Sequence, residues 1–210
     1  MQRIAVIDYG MGNLHSAAKA LSAVAPNDEV VVTHDSALIS SADRIVFPGV
    51  GAIGDCMAAI KHHGVDEILA AQWKHKPILA ICVGMQALFT HSDESGGVDC
   101  LGLLDGSVNF FNRYPSVAAA GLKVPHMGWN QVKQLSHPLW AGIDDLARFY
   151  FVHSYFVHAQ DQSLVVGQTE YGEVCDVAVA TDNVFAAQFH PEKSGSDGLK
   201  LLSNFVNWSI

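Results

Sequence analysis

Ile78-Leu79-Ala80-Ile81-Cys82-Val83-Gly84-Met85-Gln86 runs from four apolar residues into a cysteine and then directly into a helix-like segment. A sharp strand-to-helix turn of this kind lifts the turn residue out of a sheet, and small neighbours let the backbone bend without a clash. Ala80 and Gly84 are those small neighbours. The position also favours a thiolate, because the start of a helix carries partial positive charge. Taken alone, the segment reads equally as a buried structural thiol, the state of most cysteines in apolar surroundings.

Working outward toward the N-terminus, strand-like and helix-like segments alternate. Arg3–Asp8, Glu29–Thr33, Asp43–Phe47 and Pro77–Ile81 read as strands from their aliphatic and β-branched runs. Asn13–Ala25 reads as a helix with Leu14, Ala17, Ala18, Leu21 and Val24 on one face. Ile53–His62, Val65–Trp73 and Val83–Phe89 read as further helices. Such alternation predicts an α/β fold with a mostly parallel central sheet flanked by helices. In these sheets ligands bind beyond the carboxyl ends of the strands. Tyr9–Asn13, Pro48–Gly51 and the Cys82 turn all fall there.

Beyond Cys82 the pattern changes. Ser107–Asn112, Leu122–Pro125, Trp129–Lys133, Phe149–His153, Leu164–Glu170, Val174–Thr181 and Val184–Gln188 read as short strands, several joined by turns such as Tyr171-Gly172 and Asp182-Asn183. Antiparallel strands appended to the parallel sheet are expected, closed by a helix over Asp197–Trp208 with Leu199, Leu202, Phe205 and Val206 inward. Residues 1–210 contain no repeat and no linker-like tract, so a single domain is expected.

Composition narrows the function classes. Half of the 210 residues are hydrophobic, enough for a sizeable core. The net charge of −9 and the absence of a basic stripe argue against a nucleic-acid or anionic-membrane partner. No run approaches the ~20 apolar residues of a membrane span. The first apolar run, Ile4–Ile7, is too short for a leader. Cys56, Cys82, Cys100 and Cys175 are therefore expected as free thiols in a reduced, cytoplasmic compartment.

Two further segments bear on Cys82. In Ala186-Ala187-Gln188-Phe189-His190-Pro191-Glu192 an apolar strand delivers a histidine, with a carboxylate two residues on and a proline stiffening the turn. Alone this is an ordinary His-Pro-Glu surface turn. Beside Cys82 it supplies a general base and the group that orients it. Phe47-Pro48-Gly49-Val50-Gly51-Ala52 is a glycine-bearing turn whose backbone N–H groups suit an oxyanion hole. It is also a plain strand-to-helix turn, and it lacks the Gly-Lys-Ser/Thr ending of a phosphate loop.

Together these three segments resemble the class I, triad-type glutamine amidotransferases. Ile7-Asp8-Tyr9-Gly10-Met11-Gly12-Asn13-Leu14 and Pro125-His126-Met127-Gly128-Trp129-Asn130 narrow the resemblance to the glutaminase subunits of imidazole glycerol phosphate synthases. Tyr150-Phe151-Val152-His153-Ser154-Tyr155 and Gln188–Ser194 extend it along the chain. Two positions depart from the family pattern: Ala80 stands where glycine is usual, and Ile53 follows Gly51-Ala52 where phenylalanine is common.

The resemblance implies that Cys82 attacks the glutamine carboxamide, His190 acts as base and then acid, and Glu192 orients His190. Gly49, Val50 and Gly51 would form the oxyanion strand, with Val50 a switch as well as a donor. Gln86 would contact the backbone groups of glutamine, and Glu94, Ser154 and Tyr155 would hold its amino and carboxylate ends. No metal or organic cofactor is implied. The implied partner is a (β/α)8-barrel cyclase, forming a heterodimer that uses the ammonia in histidine biosynthesis. Tyr150 and Lys193 would face it, although Lys193 reads equally as a solvated lysine. Two other readings stay open at this stage. One is a sister glutaminase serving a different synthase; the other is a non-catalytic subunit on the same scaffold.

Overall fold

A computed structural model describes residues 1–210. The aliphatic runs of the N-terminal half form β1 (Arg3–Ile7), β2 (Glu29–Thr33), β3 (Arg44–Gly49) and β4 (Ile78–Cys82). Between them lie α1 (Leu14–Val24), α2 (Ser36–Ser41), α3 (Ile53–His62) and α4 (Val65–Gln72), and α5 (Val83–Ala87) follows β4 without a linker. These four strands pair in parallel in the order β2-β1-β3-β4. All residues of β3 and β4 are buried, as expected for strands covered on both faces. Helix α1 buries Ala17 and Leu21 and packs on the C-terminal helix, with Leu14, Ala18 and Val24 partly covered.

The second half begins with β5 (His91–Ser92), β6 (Val98–Asp99), β7 (Gly106–Phe110), α6 (Pro115–Ala119), β8 (His126–Gln131) and β9 (Lys133–Gln134). It continues with β10 (Arg148–His153), β11 (Tyr155–Ala159), β12 (Val165–Glu170), β13 (Val174–Ala180), β14 (Val184–Ala187) and α7 (Gly195–Val206). The β13–β14 hairpin does more than append to the sheet. Strand β14 lies directly beside β4 and parallel to it, with Ala186 opposite Ala80 and Ala187 opposite Ile81. From β13 the sheet continues antiparallel through β11 and β7 to β5 and β6, while β8 and β10 form a separate two-stranded ribbon.

Three sequence expectations need correction. Leu122–Pro125 is not a strand: Pro125 has no N–H for a ladder, and pairing begins at His126. Trp129–Lys133 is two strands rather than one, divided at buried Val132, whose N–H turns to Ala147 O. Leu199 points outward and is 38% exposed; Leu201, Leu202, Phe205 and Val206 form the inner face of α7. Helices α2 and α6 and strands β5, β6 and β11 are additional elements. Helix α2 has only six residues and depends on its cap, Asp35 Oδ1 accepting from the N–H groups of Ala37 and Leu38. No helix is long and apolar enough to cross a membrane.

Candidate active site

Cys82 is the hinge between β4 and α5, at φ +57° and ψ −113°. A non-glycine residue holds such a conformation only when its surroundings impose it. Here backbone packing does so. A Cβ on Gly84 would stand 2.1 Å from Phe47 O, and one on Gly49 would stand 2.6 Å from the Tyr9 hydroxyl and 2.7 Å from Gly84 N. Only hydrogen fits at either position, so the Pro48–Gly51 loop sits directly on the first turn of α5. Two side chains hold the loop: the Tyr9 hydroxyl donates to Pro48 O at 2.8 Å, and the Cys56 thiol donates to Val50 O at 3.5 Å. Ala80, at the family's glycine position, is fully buried opposite Phe47 on one side and Ala186 on the other.

The imidazole arrives from the other half. After β14 the chain passes through Gln188 and Phe189 to His190. Phe189 is fully buried against Phe149 and Phe151, with ring centroids at 4.3 and 5.8 Å. The His190 N–H donates to Tyr150 O at 2.9 Å, and the Ser194 hydroxyl donates to His190 O at 2.6 Å. These contacts fix the ring's backbone before its side chain makes any bond. His190 Nδ1 then lies 2.8 Å from Glu192 Oε1, with both side chains at most 2% exposed. Nε2 is buried and has no hydrogen-bond partner within the chain. Burial favours the neutral ring, but the nearby Cys82 sulfur and the Glu192 carboxylate outweigh it and raise the His190 pKa to about 9.

Cys82 and His190 share one pocket of about 290 Å³, near the small end of ligand sites, with Val50, Gly51, Gln86, Glu94, Ser154 and Tyr155 on its wall. Gly49 lies beneath that wall, packed against Gly84. Glu94 Oε2 accepts the Ile53 N–H at 2.9 Å, which leaves its other oxygen for the pocket. Gln86 has committed its amide nitrogen, donating to Tyr155 O at 3.1 Å and to Gln188 Oε1 at 2.8 Å. It has only its oxygen left to offer a ligand. Tyr155 stacks on Phe110 at 4.9 Å. Tyr150 and Lys193 lie outside the pocket wall. Tyr150 is half-buried with Trp129 edge-on at 6.1 Å, and Lys193 is exposed.

Four residues near the site have no role assigned from the sequence: Tyr9, His126, His153 and Gln188. His126 and His153 face each other across the β8–β10 ribbon, with Nδ1 of His126 2.8 Å from Nε2 of His153. His153 Nδ1 lies 2.8 Å from Tyr155 O, a group that only accepts. His153 therefore carries its proton on Nδ1, and His126 donates from its own Nδ1. Burial drives both pKa values down, to about 3 for His153 and about 4 for His126, so both rings are neutral. The signal for His153 was present in the sequence: period-two alternation places it on the buried face with Phe149 and Phe151.

Comparison with known proteins agrees with this architecture. The model of the family "Glutamine amidotransferase class-I" matches residues 5–208. The chain is 56% identical over 209 residues to "Imidazole glycerol phosphate synthase subunit HisH" of Pseudomonas savastanoi pv. phaseolicola, covering 99% of this chain and 98% of that one. It is 54% identical over 212 residues to the protein of the same name from Acinetobacter baylyi, with both chains fully covered. Among solved structures, PurLQS of Thermotoga maritima superposes with a TM-score of 0.71 at 19% identity, covering 99% of each chain. Matches of this extent mean that the chain belongs to the class I glutamine amidotransferases, in the group of imidazole glycerol phosphate synthase subunits.

Proposed function

We propose that residues 1–210 act as one glutaminase domain that hydrolyses L-glutamine to glutamate and ammonia through a Cys82 thioester. The ammonia passes to a (β/α)8-barrel cyclase with which the chain forms a heterodimer in histidine biosynthesis. One observation carries the chemistry. A thiol and an imidazole from opposite halves of the chain open into the same pocket, and a buried carboxylate at 2.8 Å fixes the imidazole.

In this reading Cys82 Sγ attacks the carboxamide carbon while His190 Nε2 holds the thiol proton. The carbonyl oxygen gains charge and is met by backbone N–H groups of the Gly49–Gly51 strand. Collapse of the tetrahedral intermediate breaks the C–N bond, and His190 returns the proton to the departing ammonia. Water, deprotonated by His190, then releases glutamate and regenerates the thiol. Glu192 accepts from His190 Nδ1–H throughout and stabilises the imidazolium. Glu94 and the free oxygen of Gln86 suit the substrate ammonium, and Ser154 and Tyr155 lie where its carboxylate end would be held.

The partner docks on the ribbon side of the pocket. Met127 and Trp129 of β8 are 62% and 51% exposed, large apolar side chains beside Tyr150 and within reach of the Lys193 turn. Exposed apolar clusters of this kind mark contact surfaces. Four unpaired cysteines suit a reducing cytoplasm. The test is glutamate release by the chain alone and with the cyclase plus its nucleotide. Low release alone and a marked rise in the complex are expected. High release that ignores the cyclase would remove the switch at Val50, and no release in either state would remove the glutaminase reading.

A further inference from the structure

We propose that Gln188 is a fourth catalytic residue, whose side-chain amide donates an N–H to the Cys82 sulfur and so directs the thiol proton toward His190. This rests on the reading of Cys82 as the nucleophile. Gln188 is fully buried, two residues before His190, at the end of the strand that lies beside β4. Its Nε2 stands 3.7 Å from Cys82 Sγ.

The orientation of that amide is fixed by its surroundings. Tyr155 O only accepts hydrogen bonds, and it faces both His153 Nδ1 at 2.8 Å and the Gln86 amide at 3.1 Å. The Gln86 end nearest Tyr155 must therefore be its nitrogen. That nitrogen also lies 2.8 Å from the Gln188 amide, whose near atom must then be oxygen. The nitrogen of Gln188 is left facing the sulfur. One carbonyl thus sets two amides in sequence, and the neutral His126–His153 pair holds the carbonyl.

The consequence for the thiol is directional. A sulfur that accepts an N–H on the Gln188 side cannot place its own proton there. Two buried polar atoms of the triad have no partner within the chain, His190 Nε2 and Glu192 Oε2; with Glu192 on Nδ1, Nε2 is the ring atom left to exchange the thiol proton. Gln188 thereby leaves the S–H free for His190, and after transfer its N–H stabilises the thiolate. Hydrogen bonds to a charged partner are stronger than those to a neutral one, so the contact favours the ionised sulfur.

The experiment uses the full chain bound to its cyclase. Alkylation of Cys82 by iodoacetamide is followed against pH by peptide mapping, alongside kcat and KM for glutamine. Gln188→Met keeps length without a donor. Gln188→Glu keeps an acceptor for Gln86 and turns negative charge toward the sulfur. Gln188→Met is expected to raise the alkylation midpoint by about one pH unit and to lower kcat about tenfold, with KM within about twofold. Gln188→Glu should move both further in the same direction. A folded Gln188→Met chain with an unshifted midpoint and unchanged kcat would overturn the proposal. If Gln188→Met does not fold, an unshifted profile in Gln188→Glu overturns it equally. The nucleophile reading fails separately, through a Cys82→Ala chain that still releases glutamate normally.

Discussion

The parallel half and the antiparallel half of the sheet place their functional groups by different physical means. On the parallel side, shape decides: Cys82 sits at a positive φ because Gly49 and Gly84 bring backbones together at distances that no Cβ tolerates. On the antiparallel side, polar bonding decides: His190, Glu192, Gln188, His153 and His126 are each aimed by a partner between 2.8 and 3.7 Å away. The Cys82 turn should thus be sensitive to volume, and the His190 ring to charge and donor pattern. Substitutions on the two sides should therefore fail in different ways.

The largest effect belongs to the polar side. His190→Asn removes the proposed base and acid while leaving the backbone contacts to Tyr150 and Ser194. Glutaminase kcat in the complex should fall on the order of 10⁴-fold with a folded chain, read by steady-state glutamate release and circular dichroism. The shape side should respond the other way. Gly84→Ala forces Phe47 O away from a Cβ 2.1 Å distant, and chemical denaturation should show a stability loss of about 3 kcal/mol or more. A Gly84→Ala chain of normal stability but altered activity would show that volume is not what holds the Cys82 turn.

Acid titration should separate two of the buried histidines. The folded pKa of His153, about 3, lies below its ordinary 6.5. Its neutral form contributes full stability above pH 6.5 and loses it as pH falls toward 3, roughly 3 kcal/mol by pH 4. His190 has the opposite sign. Its pKa is raised to about 9, so its contribution is complete below pH 6.5 and is lost as pH rises through 9. Denaturation midpoints across this range should show both slopes, and His153→Gln should flatten the acid one. The smallest effect belongs to Ala80→Gly, which installs the residue usual in the family. It should cost about 0.5–1 kcal/mol from strand flexibility and leave kcat within about twofold.

Much of this was legible in the residues themselves. Aliphatic runs ending at Gly49 and Cys82 announced buried parallel strands, because two covered faces leave no alternation to hide them. The triad motifs were local, each at the end of such a strand. What was not legible was relational. Nothing local in Val184–Ala187 says that it lies beside β4 rather than at the end of an appended hairpin, yet this pairing brings His190 to Cys82. The amide chain through Gln86 and Gln188 joins residues 102 positions apart, and no spacing rule predicts it. Leu122–Pro125 misled because its apolar composition hid a proline without an N–H.

In the proposed reaction the thiol at the end of β4 does the chemistry. Glutamate release in the cyclase complex should be compared for Cys82→Ala and for Cys100→Ala, a cysteine that is not on the pocket wall. Release at background is expected for the first and at the unaltered rate for the second. Undiminished release from a folded Cys82→Ala chain would contradict it.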